Sequence, residues 1–180
     1  MDGTEATAEN VKNGSYKVSR PFNIATKGEA SGLAKDFIDF ILSKEGQEVV
    51  SGGYIPVNDA AAPFAGTKPE GKIVVGGSSS VMPIMEKLQE AYLKVNPNAT
   101  IELQQSDSTA GMTGAKDGTY DIGMASRELK DSELADLTPT QIALDGIAVI
   151  VNQANDLSDI STDAIKAIYT GDTTTWAEVK

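Results

Sequence analysis

The stretch Val74-Val75-Gly76-Gly77-Ser78-Ser79-Ser80-Val81-Met82-Pro83-Ile84 passes from an apolar run through glycine and serine into an amphipathic segment. This pattern predicts a strand, a tight turn and the N-terminus of a helix. The first backbone N–H groups of a helix have no partner within it and carry partial positive charge. Because the hydroxyls of Ser79 and Ser80 lie beside them, the turn is a candidate oxyanion site. The alternative is ordinary capping, since glycine and serine are common where a strand turns into a helix.

Two more polar turns follow strand-like segments farther along the chain. One of these turns consists of residues 104–111 and includes Ser108. The other turn contains Ser126 and Arg127. A guanidinium can bind an oxyanion through two parallel hydrogen bonds. The ends of parallel strands in a βαβαβ unit meet at one edge of the sheet, where ligands commonly bind. We therefore expect the three turns to lie together.

Both arginines near these segments also have structural interpretations. Arg127 precedes several acidic residues and could form a surface ion pair with one of them, which would contribute only about 0–1 kcal/mol to stability. Arg20 lies beside Pro21 and Phe22 on a predicted edge strand, and we expect its role to be structural. The acids that follow Arg127 are Glu128, Asp131 and Glu133.

Composition restricts the classes of partner. The chain has 180 residues, 40% of them hydrophobic, which is enough for one core. Its net charge is −11, from 15 Lys and Arg against 26 Asp and Glu, which argues against binding to nucleic acid or to anionic membrane surfaces. A small anion is still compatible with this charge, because backbone N–H groups act at contact range while the overall field is screened by salt.

Composition also restricts the chemistry. The chain contains neither Cys nor His, so thiol nucleophiles, imidazole bases and the usual zinc ligands are absent. An enzyme would have to use scattered carboxylates, or Ser79 or Ser80 with Lys87, and Lys87 lies about two turns into the predicted helix, pointing away from those serines. We therefore expect neither catalysis nor a cofactor or metal. No segment is apolar enough to span a membrane, and the first residues do not resemble a signal peptide.

Strand-like and helical patterns alternate along the chain. This alternation predicts an α/β three-layer sandwich with a mostly parallel sheet. The composition of residues 57–71, with repeated Ala, Gly and Pro, is typical of a linker. The predicted elements are a strand at 16–26, helices at 30–42 and 44–50, a strand at 72–75, a helix at 81–95, strands near Ile101 and Ile122 with a short helix toward Ala115 between them, a helix at 131–136, an apolar run at 142–151 and a helix at 163–169.

Several motifs resemble those of one protein family, the phosphate-binding proteins of ABC phosphate importers. From Lys72 to the end, the chain resembles the amino-terminal half of that family. The motifs are Gly77-Ser78-Ser79-Ser80-Val81, Asp121-Ile122-Gly123-Met124-Ala125-Ser126-Arg127, Ala143-Leu144-Asp145-Gly146-Ile147-Ala148-Val149-Ile150-Val151-Asn152 and Ile168-Tyr169-Thr170-Gly171, followed by Trp176. Residues 1–56 resemble the family's carboxyl-terminal part through Ser19-Arg20-Pro21-Phe22, Lys27-Gly28-Glu29-Ala30-Ser31-Gly32-Leu33, Phe37-Ile38-Asp39-Phe40 and Gly53-Tyr54-Ile55-Pro56-Val57.

The resemblance implies one lobe of a two-lobed type II periplasmic-binding-protein fold. In this family the chain starts in lobe one, crosses to lobe two and returns to complete lobe one. Residues 1–56, the linker at 57–71 and residues 72–180 would then form lobe one alone, in circularly permuted order. The arginine and Ser-Gly-Thr turn that lobe two contributes to the family's site do not occur in this sequence. An engineered single-lobe protein and a segment cut across two tandem copies are both compatible with this order.

The resemblance also implies a ligand and its binding residues. Inorganic phosphate would be bound by the Ser79 and Ser80 hydroxyls, the Val81 amide and the Ser108 hydroxyl, together with Ser126 and the adjacent Arg127. The protein would be the extracytoplasmic solute-binding component of an importer, and its partners would be the missing second lobe and the importer's membrane subunits.

The identity of the anion stays open. Some family members have an aspartate about where Ser126 stands, and it accepts the proton that distinguishes hydrogen phosphate from sulfate. Asp107 or Asp145 could replace it, although a capping or turn role is the alternative for both. Binding of sulfate or another oxyanion, a truncated or engineered folding module that binds nothing, and a homodimer formed through the exposed cleft face remain as other interpretations.

Overall fold

A six-stranded sheet forms the centre of the computed structural model, which describes residues 1–179. Its strands are β1 (Ser19–Lys27), β2 (Ile55–Pro56), β3 (Gly71–Ser78), β4 (Ala99–Ser106), β5 (Ile122–Ala125) and β6 (Leu137–Gly146), in the spatial order β2-β6-β1-β5-β3-β4. Strand β3 pairs in parallel with both β4 and β5. Strand β1 is antiparallel to β5, and β2 is antiparallel to β6. The half of the sheet that carries the three polar turns is therefore parallel.

Helices cover both faces of the sheet. The helices are α1 (Ala8–Lys12), α2 (Gly32–Leu42), α3 (Lys44–Ser51), α4 (Met82–Val95), α5 (Ser108–Asp117), α6 (Asp131–Leu134) and α7 (Thr162–Thr170), with a 3-10 turn at Trp176–Glu178. Apolar side chains of α2, α3 and α4 share one core with Val75 and Met124. On the opposite face, Met112 and Ala115 of α5 pack with Ala25 and Ala125. The predicted three-layer α/β architecture is confirmed.

The predicted helices and strands all occur, but several boundaries differ, including those of β3 and β6. Strand β3 continues through Gly76 and Gly77 to Ser78, because its parallel pairing with β4 extends to the Ser78–Ser106 pair. Strand β6 begins at Leu137 and ends at Gly146, so the last part of the apolar run at 142–151 lies outside the sheet. The short α1 and β2 have no counterpart among the predicted elements.

The chain groups into two units. The sheet unit is Arg20–Asp145, and the terminal unit is Met1–Ser19 together with Gly146–Lys180. The sequence predicts a single lobe over 1–180, without a boundary at either of these positions. Among residues 1–179, no helix has both the length and the apolar character that a membrane crossing requires.

Within the terminal unit, hydrogen bonds join its two stretches of chain. The Asp2 carboxylate accepts hydrogen bonds from the backbone N–H and the hydroxyl of Thr162. The Tyr16 hydroxyl donates to the Ile147 carbonyl at 2.8 Å. Several large apolar side chains of this unit are nevertheless exposed, with exposed fractions of 88% for Ile150 and 61% for Trp176.

The linker-like stretch has no helix or strand at 57–70, but it is fixed to the sheet unit. The Phe64 ring packs edge-on against Phe40, with ring centroids 5.3 Å apart. The Thr67 backbone N–H donates to the Asp36 carboxylate at 2.7 Å, and the Pro69 carbonyl accepts from the Asn96 side chain at 2.9 Å. Its composition therefore marks the absence of regular structure, and the segment itself is an ordered part of the sheet unit.

A buried polar network holds this segment between α2 and α4. The Tyr92 hydroxyl donates to the Asp36 carboxylate at 2.7 Å and accepts from the Asn96 amide at 2.9 Å. Tyr92 and Asn96 are fully buried, and Asp36 is 5% exposed. Burial, together with the neighbouring Asp36 carboxylate, raises the pKa of Tyr92 to about 12. Both effects oppose ionisation of the phenol.

Removing the Tyr92 hydroxyl should destabilise the protein in a pH-dependent way. Tyr92→Phe removes one hydrogen-bond partner from each of the buried side chains of Asp36 and Asn96, and we expect the free energy of unfolding at pH 7 to fall by about 1–3 kcal/mol. Because the folded-state pKa of Tyr92 is raised, its contribution is fully present below the ordinary tyrosine value of 10.0 and is lost as the pH rises towards about 12. Urea unfolding at pH 8 and pH 11 should therefore show a smaller difference between wild type and variant at the higher pH.

The matched control is Tyr54→Phe. The Tyr54 ring packs against Phe22, and its hydroxyl makes no hydrogen bond within residues 1–179. This variant should unfold within about 0.5 kcal/mol of wild type. Equal stabilities for Tyr92→Phe and Tyr54→Phe would contradict the structural importance of the network.

Candidate functional site

The three polar turns predicted from the sequence lie at one edge of the sheet. Strands β3, β4 and β5 run in parallel, with Gly77 opposite both Gln105 and Met124. The Ser79 backbone N–H donates to the Ser106 carbonyl at 3.1 Å, which extends the pairing beyond the end of β3. The carboxyl ends of the strands thus bring the turns into neighbouring positions, as their order in the sequence predicts.

The first turn leads directly into α4. Ser79 is exposed and Ser80 is half-buried, and neither hydroxyl makes a hydrogen bond within the described residues. The Val81 amide, which the resemblance implies as a ligand donor, here donates to the Ser78 carbonyl at 3.1 Å and closes the turn.

The start of α4 supplies further donors that sequence reasoning did not single out. Within residues 1–179, no group accepts a hydrogen bond from the backbone N–H groups of Ser80, Met82 or Ile84. Pro83, at the second helical position, has no N–H to contribute. The signal for these donors is the helix start itself, since the first N–H groups of any helix lack internal partners.

The second turn caps α5. The Asp107 carboxylate accepts hydrogen bonds from the Thr109 N–H at 2.8 Å and the Ala110 N–H at 3.0 Å. This is the capping role that was the alternative to a role in recognising the ligand's proton. The Ser108 hydroxyl oxygen accepts from the Ser126 N–H at 3.2 Å, which leaves its hydrogen available to donate. The second and third turns are thereby joined.

Glycines allow α5 to approach the sheet this closely. Gly77 has a φ of +137°, and a Cβ at this position would lie 2.4 Å from the Met124 carbonyl oxygen. A Cβ on Gly111 would lie 2.6 Å from the same oxygen and 2.8 Å from the Gly77 Cα. Real Cβ atoms do not tolerate such distances, so side chains at these positions would push α5 away from β3 and β5. Sequence reasoning missed Gly111, whose signal is a glycine inside a helical segment.

The third turn carries Arg127, whose guanidinium forms a two-pronged ion pair. Its Nη1 donates to Glu133 Oε2 at 2.8 Å and its Nη2 donates to Glu133 Oε1 at 2.9 Å. Hydrogen bonding and charge within the pair raise the pKa of Arg127 and lower the pKa of Glu133. The structure therefore places Arg127 at the site edge, paired with one of the acids named in its structural interpretation.

Asp145, the other acid considered for proton recognition, is also engaged. Its Oδ2 accepts from Arg20 Nε at 2.9 Å and lies 2.9 Å from Arg20 Nη2. The Arg20 guanidinium carbon lies 5.6 Å from the centre of the Phe22 ring. The pairing agrees with the structural role predicted for Arg20, and it leaves Asp145 occupied by a cation.

The edge as a whole offers hydroxyl and backbone donors with little free charge. Among residues 1–179, no group of three or more Asp or Glu is placed to hold a metal ion. Lys87 is exposed on α4 beyond its first turn. Neutral donors converging at the start of two helices can bind a small oxyanion.

Comparison with known proteins identifies the fold family. Residues 62–180 match the model of a PBP superfamily domain. The chain is 53% identical over 182 residues to a protein of Streptococcus agalactiae serotype V named phosphate-binding protein PstS 2. That match covers 99% of this chain and 62% of the relative. The chain thus spans less than two thirds of the length of this curated relative.

Solved structures show the same likeness. A phosphate-binding protein of a phosphate ABC transporter from Streptococcus pneumoniae TIGR4 matches with a TM-score of 0.94 and 44% identity, covering 99% of this chain and 70% of that one. A putative substrate-binding protein from Clostridium perfringens, solved with bound phosphate, matches with a TM-score of 0.53 and 42% identity, covering 60% of this chain and 45% of that one.

The family model and the relatives together show that the chain belongs to the PBP superfamily and, within it, to the PstS-like proteins.

Proposed function

We propose that this chain binds inorganic phosphate at the carboxyl edge of its sheet. The convergence of three polar turns there carries the proposal, because it brings unpaired N–H groups at the start of α4 next to serine hydroxyls at the start of α5. The relatives that match the chain are named as phosphate-binding proteins, which favours phosphate over other anions. The proposed binding residues are Ser79, Ser80, Ser108 and Ser126, with Arg127 beside them. Val81 would bind by sharing its N–H, which also donates to the Ser78 carbonyl.

The wider role follows from the same relatives. We propose that the full protein is the solute-binding component of an ABC phosphate importer, that it acts outside the cytoplasmic membrane, and that it works without catalysis. The importer's membrane subunits and a second lobe would be its partners. The match covers only 62% of the streptococcal relative, which leaves room for a further lobe in that protein.

The donors found here predict weak binding by this chain alone. Each hydrogen bond to a charged ligand contributes about 1.5–3 kcal/mol, and a ligand bound at one exposed edge makes fewer of these bonds than an enclosed one. Affinity in the millimolar range corresponds to about 4 kcal/mol, which two or three such bonds can supply. Sulfate stays the closest competitor, because Asp107 caps α5 and Asp145 pairs with Arg20, while the residue at position 126 is a serine and not an aspartate.

An amide-resolved NMR titration with phosphate, with sulfate in parallel, tests this proposal. We expect saturable shifts confined to Gly77–Val81, Ser108, Ser126 and Arg127, and larger for phosphate than for sulfate. The double variant Ser79→Ala/Ser80→Ala should weaken binding about tenfold or more, since it removes two hydroxyl donors. Ser51→Ala, on the exposed end of α3, is the control and should bind as wild type does. A folded spectrum without shifts at millimolar phosphate would reject binding by this chain.

The close approach of α5 gives a second test. Gly111→Ala places a methyl group against the Met124 carbonyl, so α5 must shift and the bond between Ser108 and Ser126 must lengthen. We expect at least about tenfold weaker phosphate binding and a lower midpoint of thermal unfolding. Gly53→Ala is the control, because a Cβ there meets no atom within 4 Å. Unchanged binding by Gly111→Ala would show that the position of α5 does not matter for the ligand.

A further inference from the structure

Nearly all hydrogen-bond donors of the Arg127 guanidinium are engaged within the protein. Besides its bond to Glu133, Nη1 donates to the Glu128 carbonyl at 2.9 Å. Besides its own bond to Glu133, Nη2 donates to the Thr109 hydroxyl at 3.5 Å, on the first turn of α5. A guanidinium has five N–H donors, so only the Nε–H is left without a partner in the described residues. The two parallel N–H groups that could bind an oxyanion are therefore already bonded to the Glu133 carboxylate.

Glu133 is itself held in place on the protein side. Its Oε2 also accepts from the Lys130 backbone N–H at 2.8 Å, at the start of α6. The Glu133 side chain is only 13% exposed and that of Arg127 is 29% exposed. This pair is less exposed than the charge pairs on the helix surfaces, such as Lys35 with Asp39 at 58% and 48%. Lower exposure makes its electrostatic effect on nearby ligands less screened by water.

The pair lies next to the proposed ligand site. Thr109, which receives the Nη2 bond, follows Ser108 directly, and Ser108 accepts from the Ser126 backbone. A positive charge at this place would attract an anion bound to the serines. A carboxylate on the same guanidinium cancels most of that attraction and competes for the same N–H groups.

Resting on the phosphate binding proposed above, we propose that Glu133 sets the anion affinity and selectivity of this edge by keeping the Arg127 guanidinium occupied. With the arginine paired, the ligand is bound by hydroxyl and N–H groups, and the hydroxyl oxygens can also accept the proton that hydrogen phosphate has and sulfate lacks. With the arginine released, charge would dominate, and charge distinguishes poorly between phosphate and sulfate. Glu133 is then a specificity-determining residue that does not touch the ligand, and Arg127 in the paired state positions α6 against the first turn of α5.

Neutralising Glu133 tests the proposal in the full 180-residue chain. Glu133→Gln keeps one acceptor for Arg127 but frees its charge, and we expect binding of both phosphate and sulfate to strengthen about tenfold, with a lower ratio of phosphate to sulfate affinity. The matched control is Glu128→Gln, which removes the same charge from an exposed neighbour and should change affinity less than about twofold. Adding Arg127→Met to Glu133→Gln should abolish the gain, because the gain requires the arginine's charge.

The outcomes separate this inference from the phosphate proposal. If wild type binds phosphate and folded Glu133→Gln binds no more tightly, the inference is overturned and the phosphate proposal stands. If wild type gives no shifts but Glu133→Gln gives saturable shifts at Ser79–Val81 and Ser108, the inference is supported and phosphate binding by the wild-type chain fails. If neither wild type nor folded Glu133→Gln binds phosphate, both the inference and the phosphate proposal are rejected. Should Glu133→Gln fail to fold, Glu133→Asp retains the charge with a shorter reach, and a gain smaller than tenfold supports the inference while no gain overturns it.

Discussion

The hydrogen bond from the Tyr92 hydroxyl to the Asp36 carboxylate is the constraint on which much of the sheet unit depends. An ionised carboxylate can be buried only where its lone pairs are satisfied, and here Tyr92 and Thr67 supply the donors. The bond connects α2, which precedes the irregular stretch at 57–70, to α4, which follows it. Tyr92 lies near the C-terminal end of α4, and the N-terminal end of α4 begins at the first polar turn. The network that anchors the connecting segment therefore also holds the helix that starts at the ligand site.

The site combines a rigid backbone with little net charge. Gly77 and Gly111 allow the backbones of β3, β5 and α5 to contact one another directly. The backbone that carries the serines is therefore positioned without intervening side chains. The acids of this region are committed elsewhere: Asp107 caps α5, Asp145 pairs with Arg20 and Glu133 pairs with Arg127. In a chain with a net charge of −11, these three acids are thus bonded within the protein beside an edge of hydroxyl and N–H donors.

The elements and the shared edge could be predicted from periodicity, since strand and helix patterns alternate clearly from Lys72 to Asp136. The boundary between the two units could not, because the apolar run at 142–151 continues through it without any change of composition. At 57–71, in contrast, composition indicates a boundary that the structure does not have. Pro and Gly there indicate a linker, whereas Phe64 and Thr67 pack into the sheet unit. The ion-pair partner of Arg127 could not be predicted either, because three acids lie within the six residues that follow it and only side-chain geometry selects Glu133.

The position of Trp176 has a consequence for how this protein can be observed. It is the single tryptophan of the chain, it belongs to the terminal unit, and it is 61% exposed. Its fluorescence therefore reports on the surroundings of residues 146–180, whereas the sheet and its buried network contain no indole. Far-ultraviolet circular dichroism reports mainly on the sheet unit instead, because that unit contains most of the helices and strands. A melting curve recorded by tryptophan emission and one recorded by dichroism would coincide only if both units lose their structure in one cooperative transition.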